Sequence, residues 1–85
     1  MKTTEKYRGS TTTAIFTIEI EAGEYGAFVG RMKTFAPASF RTDPGAEVME
    51  RDLGEIVHKD KDELLELCLD EIAAQAGPIR KCAKE

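Results

Sequence analysis

The side chains in this chain best suited to bind a metal or to take part in catalysis are one histidine and two cysteines. His58 precedes two carboxylates, Asp60 and Asp62, and the cysteines are Cys68 and Cys82. A structural zinc site needs pairs of Cys or His at short, regular spacing. No pair among these residues has that spacing, so we expect no metal site and no cofactor.

Two pairs of carboxylates have the residue types for acid–base chemistry, Glu19 with Glu21 and Asp60 with Asp62. Such groups must lie beside a substrate to catalyse proton transfer. The first pair fits outward positions of a strand, and the second fits the start of a helix. The run Thr11–Thr13 has no adjacent base, and the glycines do not form a phosphate-binding loop before a helix. We therefore predict that the protein is not an enzyme and has no catalytic residues.

Two adjacent segments have the pattern of a β-hairpin. In Thr13–Glu21, apolar residues alternate with mostly polar ones, as in a strand with one buried face. The sequence Ala22-Gly23-Glu24 supplies a turn with a glycine that tolerates positive φ. Tyr25–Thr34 is then the returning strand of the hairpin.

The segment Lys61–Ala76 is predicted to be an amphipathic helix. Asp60 can cap its N-terminus, with Glu63 three residues later as the capping-box partner. Gly77 followed by Pro78 ends the helix. One side of the helix is apolar and comprises Leu64, Leu65, Cys68, Leu69, Ile72 and Ala76. We expect this side to cover one face of a sheet.

The segment between the hairpin and the helix allows two interpretations. Apolar residues at helical spacing favour a short helix over residues 44–53. Alternatively, Glu47–Arg51 and Glu55–Lys59 form a second hairpin. We prefer the helix, and in either case residues 55–58 suit a short strand.

These elements predict one small α+β domain over residues 1–85. It consists of an antiparallel sheet of three to four strands, beginning with the hairpin, packed against the C-terminal helix. We expect residues 1–10 to fray or to form a short edge extension, and residues 78–85 to form a tail. A chain of 85 residues has room for one such domain with a modest core.

Charge and composition limit the possible partners. The formal net charge is -4, whereas binding to nucleic acid requires clustered Lys and Arg, so we expect no direct contact with nucleic acid. No segment approaches the roughly 20 apolar residues of a membrane span, and the N-terminus lacks the apolar core of a signal peptide. We therefore expect a cytoplasmic protein without a membrane partner, in which Cys68 and Cys82 are reduced.

Two segments resemble the HicB-like antitoxin domain. Residues Phe16–Val29 place a tight acidic turn before an aromatic residue, Tyr25, that opens the next strand. Residues Gly54–Leu67 place a short strand before a helix that begins with a polar-polar-Glu-apolar step. The resemblance implies a stand-alone domain that occludes a toxin ribonuclease and lacks the DNA-binding half of that family.

The acidic residues lead to a hypothesis about function. A basic nuclease or nucleic-acid-binding complex would be occluded by carboxylates that occupy the place of phosphates. The protein would then be an antitoxin-like inhibitor or a phage-type defence inhibitor such as an anti-CRISPR protein. The alternative is a homo-oligomeric structural or adaptor module, for example a homodimer, without an inhibitory target. The residues predicted to contact the partner are Glu19, Glu21, Glu24, Tyr25, Asp62, Glu66 and Asp70.

Overall fold

The computed structural model of the protein describes residues 4–36 and 49–85. In chain order the elements are β1 (Thr4–Thr11), β2 (Ile15–Ala22), β3 (Phe28–Ala36), β4 (Met49–His58), α1 (Lys61–Ala76) and β5 (Ile79–Lys84). A 3-10 turn, Glu24–Gly26, lies between β2 and β3.

The five strands form one antiparallel sheet in the order β4-β3-β2-β1-β5. The predicted hairpin is present as β2 and β3, which pair from Ala22 opposite Phe28 to Ile15 opposite Phe35. Helix α1 packs across one face of this sheet. The α+β class is therefore confirmed, and the sheet has five strands rather than three to four.

The alternation in β2 produces the core. Phe16, Ile18 and Ile20 are fully buried beneath the helix. The rest of the fully buried cluster comes from β3 and α1 and comprises Met32, Leu64, Cys68 and Ile72. Gly30 lies opposite Ile20 in β2, and a Cβ added there would lie 2.8 Å from Sγ of Cys68. Because Gly30 has no side chain, the helix can approach the sheet closely at this position.

Helix α1 has the predicted bounds. The Asp60 side chain accepts hydrogen bonds from the main-chain N–H groups of Asp62 (2.9 Å) and Glu63 (3.2 Å), as expected of an N-cap. Gly77, at φ 93°, ends the helix. Of the predicted apolar side, Leu65 and Leu69 are half-buried at the margin of the core, and their neighbours Leu64, Cys68 and Ile72 are buried.

Both ends of the chain correct the prediction. Thr4–Thr11 is neither frayed nor an edge extension but forms β1, which lies between β2 and β5. The expected tail contains β5, an edge strand that is antiparallel to β1. Neither segment has a clear apolar alternation, so local pattern did not reveal them. Main-chain pairing holds both segments in the sheet, because β1 pairs with the adjacent β2 across a short turn and with β5, which is distant in sequence.

For the middle segment, the strand predicted over residues 55–58 is confirmed, whereas the short helix and the second hairpin are wrong for the described stretch 49–58. This stretch is neither a helix nor part of a two-strand hairpin but one long strand, β4, paired with β3. The register shifts between Met32 and Lys33, which face Gly54 and Asp52, so Leu53 is the extra residue of a bulge. The predicted start of the helix, at residues 44–48, lies outside the described residues.

Candidate functional site

The topology brings the β2–β3 turn and the start of α1 to the same end of the sheet. Ala22 pairs with Phe28, and Phe28 in turn pairs with His58, the last residue before the connection to α1. We call this the hairpin-tip end, comprising residues 22–28 and 58–63. Three of the predicted contact residues, Glu24, Tyr25 and Asp62, lie here, and all three are exposed.

Two further predicted residues continue from this end along the helix. Asp62, Glu66 and Asp70 follow one another at intervals of four residues and therefore lie on one side of α1, which we call the acidic stripe. At 1.5 Å rise per residue the stripe spans about 12 Å. All three residues are exposed, and none forms a salt bridge with any other described residue. Leu67, beside the stripe, is 40% exposed.

The remaining predicted residues, Glu19 and Glu21, belong to the opposite face of the sheet. Their neighbours in β2, Ile18 and Ile20, are buried beneath the helix, so Glu19 and Glu21 point to the face that no described element covers. We call it the open face. The structure therefore divides the seven predicted residues between two sides of the molecule.

Charges on the open face are largely balanced. Arg31 donates to Glu21 at 2.7 Å and to Glu55 at 3.1 Å, and Lys33 lies 3.2 Å from Glu50. Beside Lys33, a shallow groove of about 580 Å³ runs past the apolar pair Ile15 and Phe35. Its lining includes the charged residues Lys6, Arg8, Lys33, Glu19, Glu50 and Glu85. Because both signs of charge line it, the groove shows no preference for a cationic or an anionic ligand.

His58 has a structural role at the start of the helix. Its Nδ1 accepts a hydrogen bond from the main-chain N–H of Asp60 at 3.0 Å, and its Nε2 lies 3.3 Å from Glu63. In a capping box the Glu63 side chain itself would bond that N–H group, so His58 takes this place and contacts Glu63 instead. Sequence alone predicted Glu63 as the capping-box partner and did not anticipate the histidine.

The other described residues that could bind a metal or act as nucleophiles do not come together in one site. Among the residues of 4–36 and 49–85, no group of three or more His, Cys, Asp or Glu side chains is arranged to hold a metal ion. Cys68 is buried, and burial raises the pKa of its thiol to about 11, which keeps it protonated and unreactive. Cys82 is exposed on β5.

Two threonines of the run Thr11–Thr13, which were predicted not to be catalytic, have a structural role at the C-terminal end of α1. The hydroxyls of Thr11 and Thr13 both donate to the main-chain carbonyl of Ala76, at 2.9 and 2.7 Å. This carbonyl belongs to the last turn of the helix and has no intrahelical donor. The β1–β2 turn thus caps α1, and only the tertiary structure reveals why threonines stand there.

A second cluster missed by the sequence joins three elements around Glu5. Its side chain is 16% exposed and accepts hydrogen bonds from Lys61 of α1 at 2.8 Å and Lys84 of β5 at 3.2 Å. The Tyr7 hydroxyl donates to the same carboxylate at 3.2 Å. These donors, Lys61 foremost, lower the pKa of Glu5 from 4.5 to about 2.

We expect Glu5→Gln to weaken the acid dependence of stability. The pKa of Glu5 is lower in the folded state, so its stabilisation is fully present above about pH 4.5 and is lost as the pH falls towards 2. Because both lysines are partly exposed, the contribution is about 1–2 kcal/mol. Urea unfolding from pH 7 down to pH 2 should show a smaller loss for the variant. Parallel curves for the two proteins would contradict the role of Glu5.

No helix in the described ranges is both long and apolar enough to cross a membrane. Comparisons with protein-family models, with curated proteins and with solved structures found no match for this chain. The resemblance to the HicB-like antitoxin domain therefore stays a prediction. What the protein does must be inferred from its own surface.

Proposed function

We propose that this protein is a small inhibitory binding protein that occludes a basic, nucleic-acid-acting protein. The observation that carries the proposal is the acidic stripe of Asp62, Glu66 and Asp70. Like charges four residues apart destabilise a helix by about 0.2–0.5 kcal/mol per pair, and a lysine at the middle position would remove that cost. The single lysine of α1, Lys61, is turned instead towards Glu5.

The stripe suits electrostatic recognition of a cationic protein surface. Its carboxylates have no counter-ion among the described residues, so their field extends into solvent and can steer a basic partner towards the helix. Leu67 adds an exposed apolar contact at the side of the stripe. A partner held in this way would have its phosphate-binding residues covered. A toxin ribonuclease, as the HicB-like resemblance implies, and a phage-targeting defence complex are the two partner types that fit.

Self-association is the competing hypothesis, and the sheet edges give it little support. The exposed edge strand β5 carries Arg80, Lys81 and Lys84, which would repel a second β5. The other edge strand, β4, is interrupted by the bulge at Leu53. Cationic side chains and bulges on edge strands both disfavour pairing between copies.

Affinity capture tests the proposal. The full-length protein is immobilised, exposed to lysate of its native host at low salt and eluted with a salt step, and the eluate is quantified by mass spectrometry. We expect one basic nuclease or nucleic-acid-binding complex to be retained. Because the charged contacts are removed, the triple variant Asp62→Asn, Glu66→Gln, Asp70→Asn should lose about tenfold or more of this retention.

The matched control neutralises three acids away from the helix, with Glu50→Gln, Glu55→Gln and Glu85→Gln. Both triple variants change the formal net charge from -4 to -1, so bulk charge is held equal. The control should retain the partner almost as well as the natural sequence. Equal losses in the two variants would mean that net charge, and not the acidic stripe, attracts the partner, and the proposal would be rejected.

A further inference from the structure

The tip of the β2–β3 hairpin displays one aromatic side chain to solvent. Tyr25 is 98% exposed, the largest exposed fraction among the large apolar residues of the described ranges. Its ring therefore makes almost no contact with the rest of the fold. Core packing does not explain why a tyrosine stands at this position.

The backbone of Tyr25 is also strained. Its φ of 56° and ψ of 34° place it in the left-handed region, and it is the only residue other than glycine with positive φ in the described part of the chain. This region is costly for bulky side chains, whereas glycine and asparagine tolerate it. The fold would thus accept a smaller residue here more easily than the tyrosine it carries.

The turn around Tyr25 is held by two main-chain hydrogen bonds. Gly23 donates to the carbonyl of Ala27 at 2.8 Å, and Ala27 donates to that of Glu24 at 3.1 Å. Pairing between β2 and β3 begins directly beyond them, at Ala22 and Phe28. The ring is therefore carried by a closed turn, which lowers the main-chain entropy lost when the turn is bound.

We propose that Tyr25 is the anchor of the interface, inserted into an apolar pocket of the basic partner. This inference rests on the proposed function and adds what the partner must contain: a pocket that takes one phenol ring, with Lys or Arg at its rim. The rim cations would meet Glu24, which is exposed beside the ring, and Asp62 at the same end of the sheet. Burial of an aromatic ring and its contacts with cations make tyrosine a frequent energetic centre of interfaces.

The substitution Tyr25→Asn separates binding from folding. Because asparagine tolerates the left-handed region, the melting temperature should stay the same or rise by about 2–6 °C, the shift expected when a modest strain is removed from a domain of this size. Retention of the host partner in the capture experiment should fall about tenfold or more. Val57→Thr is the control, because Val57 is 62% exposed on β4 and its loss should change neither quantity.

Cross-linking locates the contact directly. With the photoreactive p-benzoylphenylalanine in place of Tyr25, illumination in host lysate should join the protein to the same partner that affinity capture retains. The same group in place of Val57 should not. Cross-links only to a second copy of this chain would overturn the inference, as would unchanged retention by Tyr25→Asn or a clear loss of its stability.

The two proposals fail in distinguishable ways. If the acidic-stripe variant loses the partner and Tyr25→Asn keeps it, the function stands and the anchor is wrong. If Tyr25→Asn loses the partner and the acidic-stripe variant keeps it, the turn binds a partner that is not selected by electrostatics. The role of Tyr25 as an anchor is then supported, and the proposed function is rejected. If the natural sequence retains no partner at all, both are overturned.

Discussion

Leu64→Asp should unfold the protein, whereas Leu67→Asp, three residues along the same helix, should leave it folded. Leu64 has no exposed surface and packs where Gly30 lets α1 approach the sheet. A carboxylate at this site would be buried without a partner and would also remove an apolar side chain, at a cost of about 4 kcal/mol or more. A domain of this size has a total stability of about 5 kcal/mol, so little would remain.

Leu67 makes a matched control because it is 40% exposed. A carboxylate there stays in water and adds only a few tenths of a kcal/mol of repulsion within an already acidic helix. Far-ultraviolet circular dichroism during urea unfolding measures both variants. A cooperative transition of Leu64→Asp within about 1 kcal/mol of the natural sequence would mean that α1 is not packed on the sheet through this residue.

The parts of the fold that sequence predicted are those whose signals are local. The bounds of α1 follow from Asp60 at one end and Gly77 at the other, within a few residues of the apolar side they frame. The hairpin follows from the alternation of β2. Its predicted turn is wrong in detail, because Gly23 is extended and the chain reverses at Glu24–Gly26, where Tyr25 and Gly26 have positive φ. In both cases neighbouring residues satisfy the main-chain hydrogen bonds, so a short window of sequence contains the information.

The parts that sequence could not predict have weak apolar patterns, and β5 also depends on pairing with a segment distant in sequence. β1 and β5 are polar, and Gly9 meets Cys82 only because the helix returns the chain to the first strand. β4 looked helical from the spacing of its apolar residues because the bulge at Leu53 interrupts the alternation of a strand. Periodicity cannot distinguish a bulged strand from a short helix.

In the candidate site, too, some features follow from local sequence and others depend on residues that the fold brings together. Tyr25 was predicted as an exposed residue at the start of the returning strand and Asp62 at the start of the helix, and both are exposed at the hairpin-tip end. Glu21 seemed equally free, but Arg31, ten residues away in sequence, pairs with it across β2 and β3. Whether an acidic residue is available to a partner depends on which cation the topology places beside it, and the sequence does not contain that information in local form.

Gly9→Ala should detach the C-terminal strand from the sheet. Gly9 is buried in β1, opposite Cys82 of β5. A Cβ at this position would overlap the main-chain carbonyl oxygen of Lys81 and lie 2.5 Å from the ring of Phe16. The backbone of β5 and a fully buried ring cannot both move aside cheaply, so we expect a loss of about 1–3 kcal/mol, typical of overpacked interiors, or more.

Hydrogen exchange can show where this loss occurs. The amides of residues 79–84 that bond to β1 should lose protection in Gly9→Ala, while those within α1 and between β2 and β3 keep most of theirs. Ser10→Ala, at the next position of β1, should change neither the stability nor the exchange pattern appreciably, because an added Cβ is not involved. Protection of residues 79–84 that survives in Gly9→Ala would mean that β5 tolerates a displaced β1. The close approach of these two strands at Gly9 would then not be required to keep β5 in the sheet.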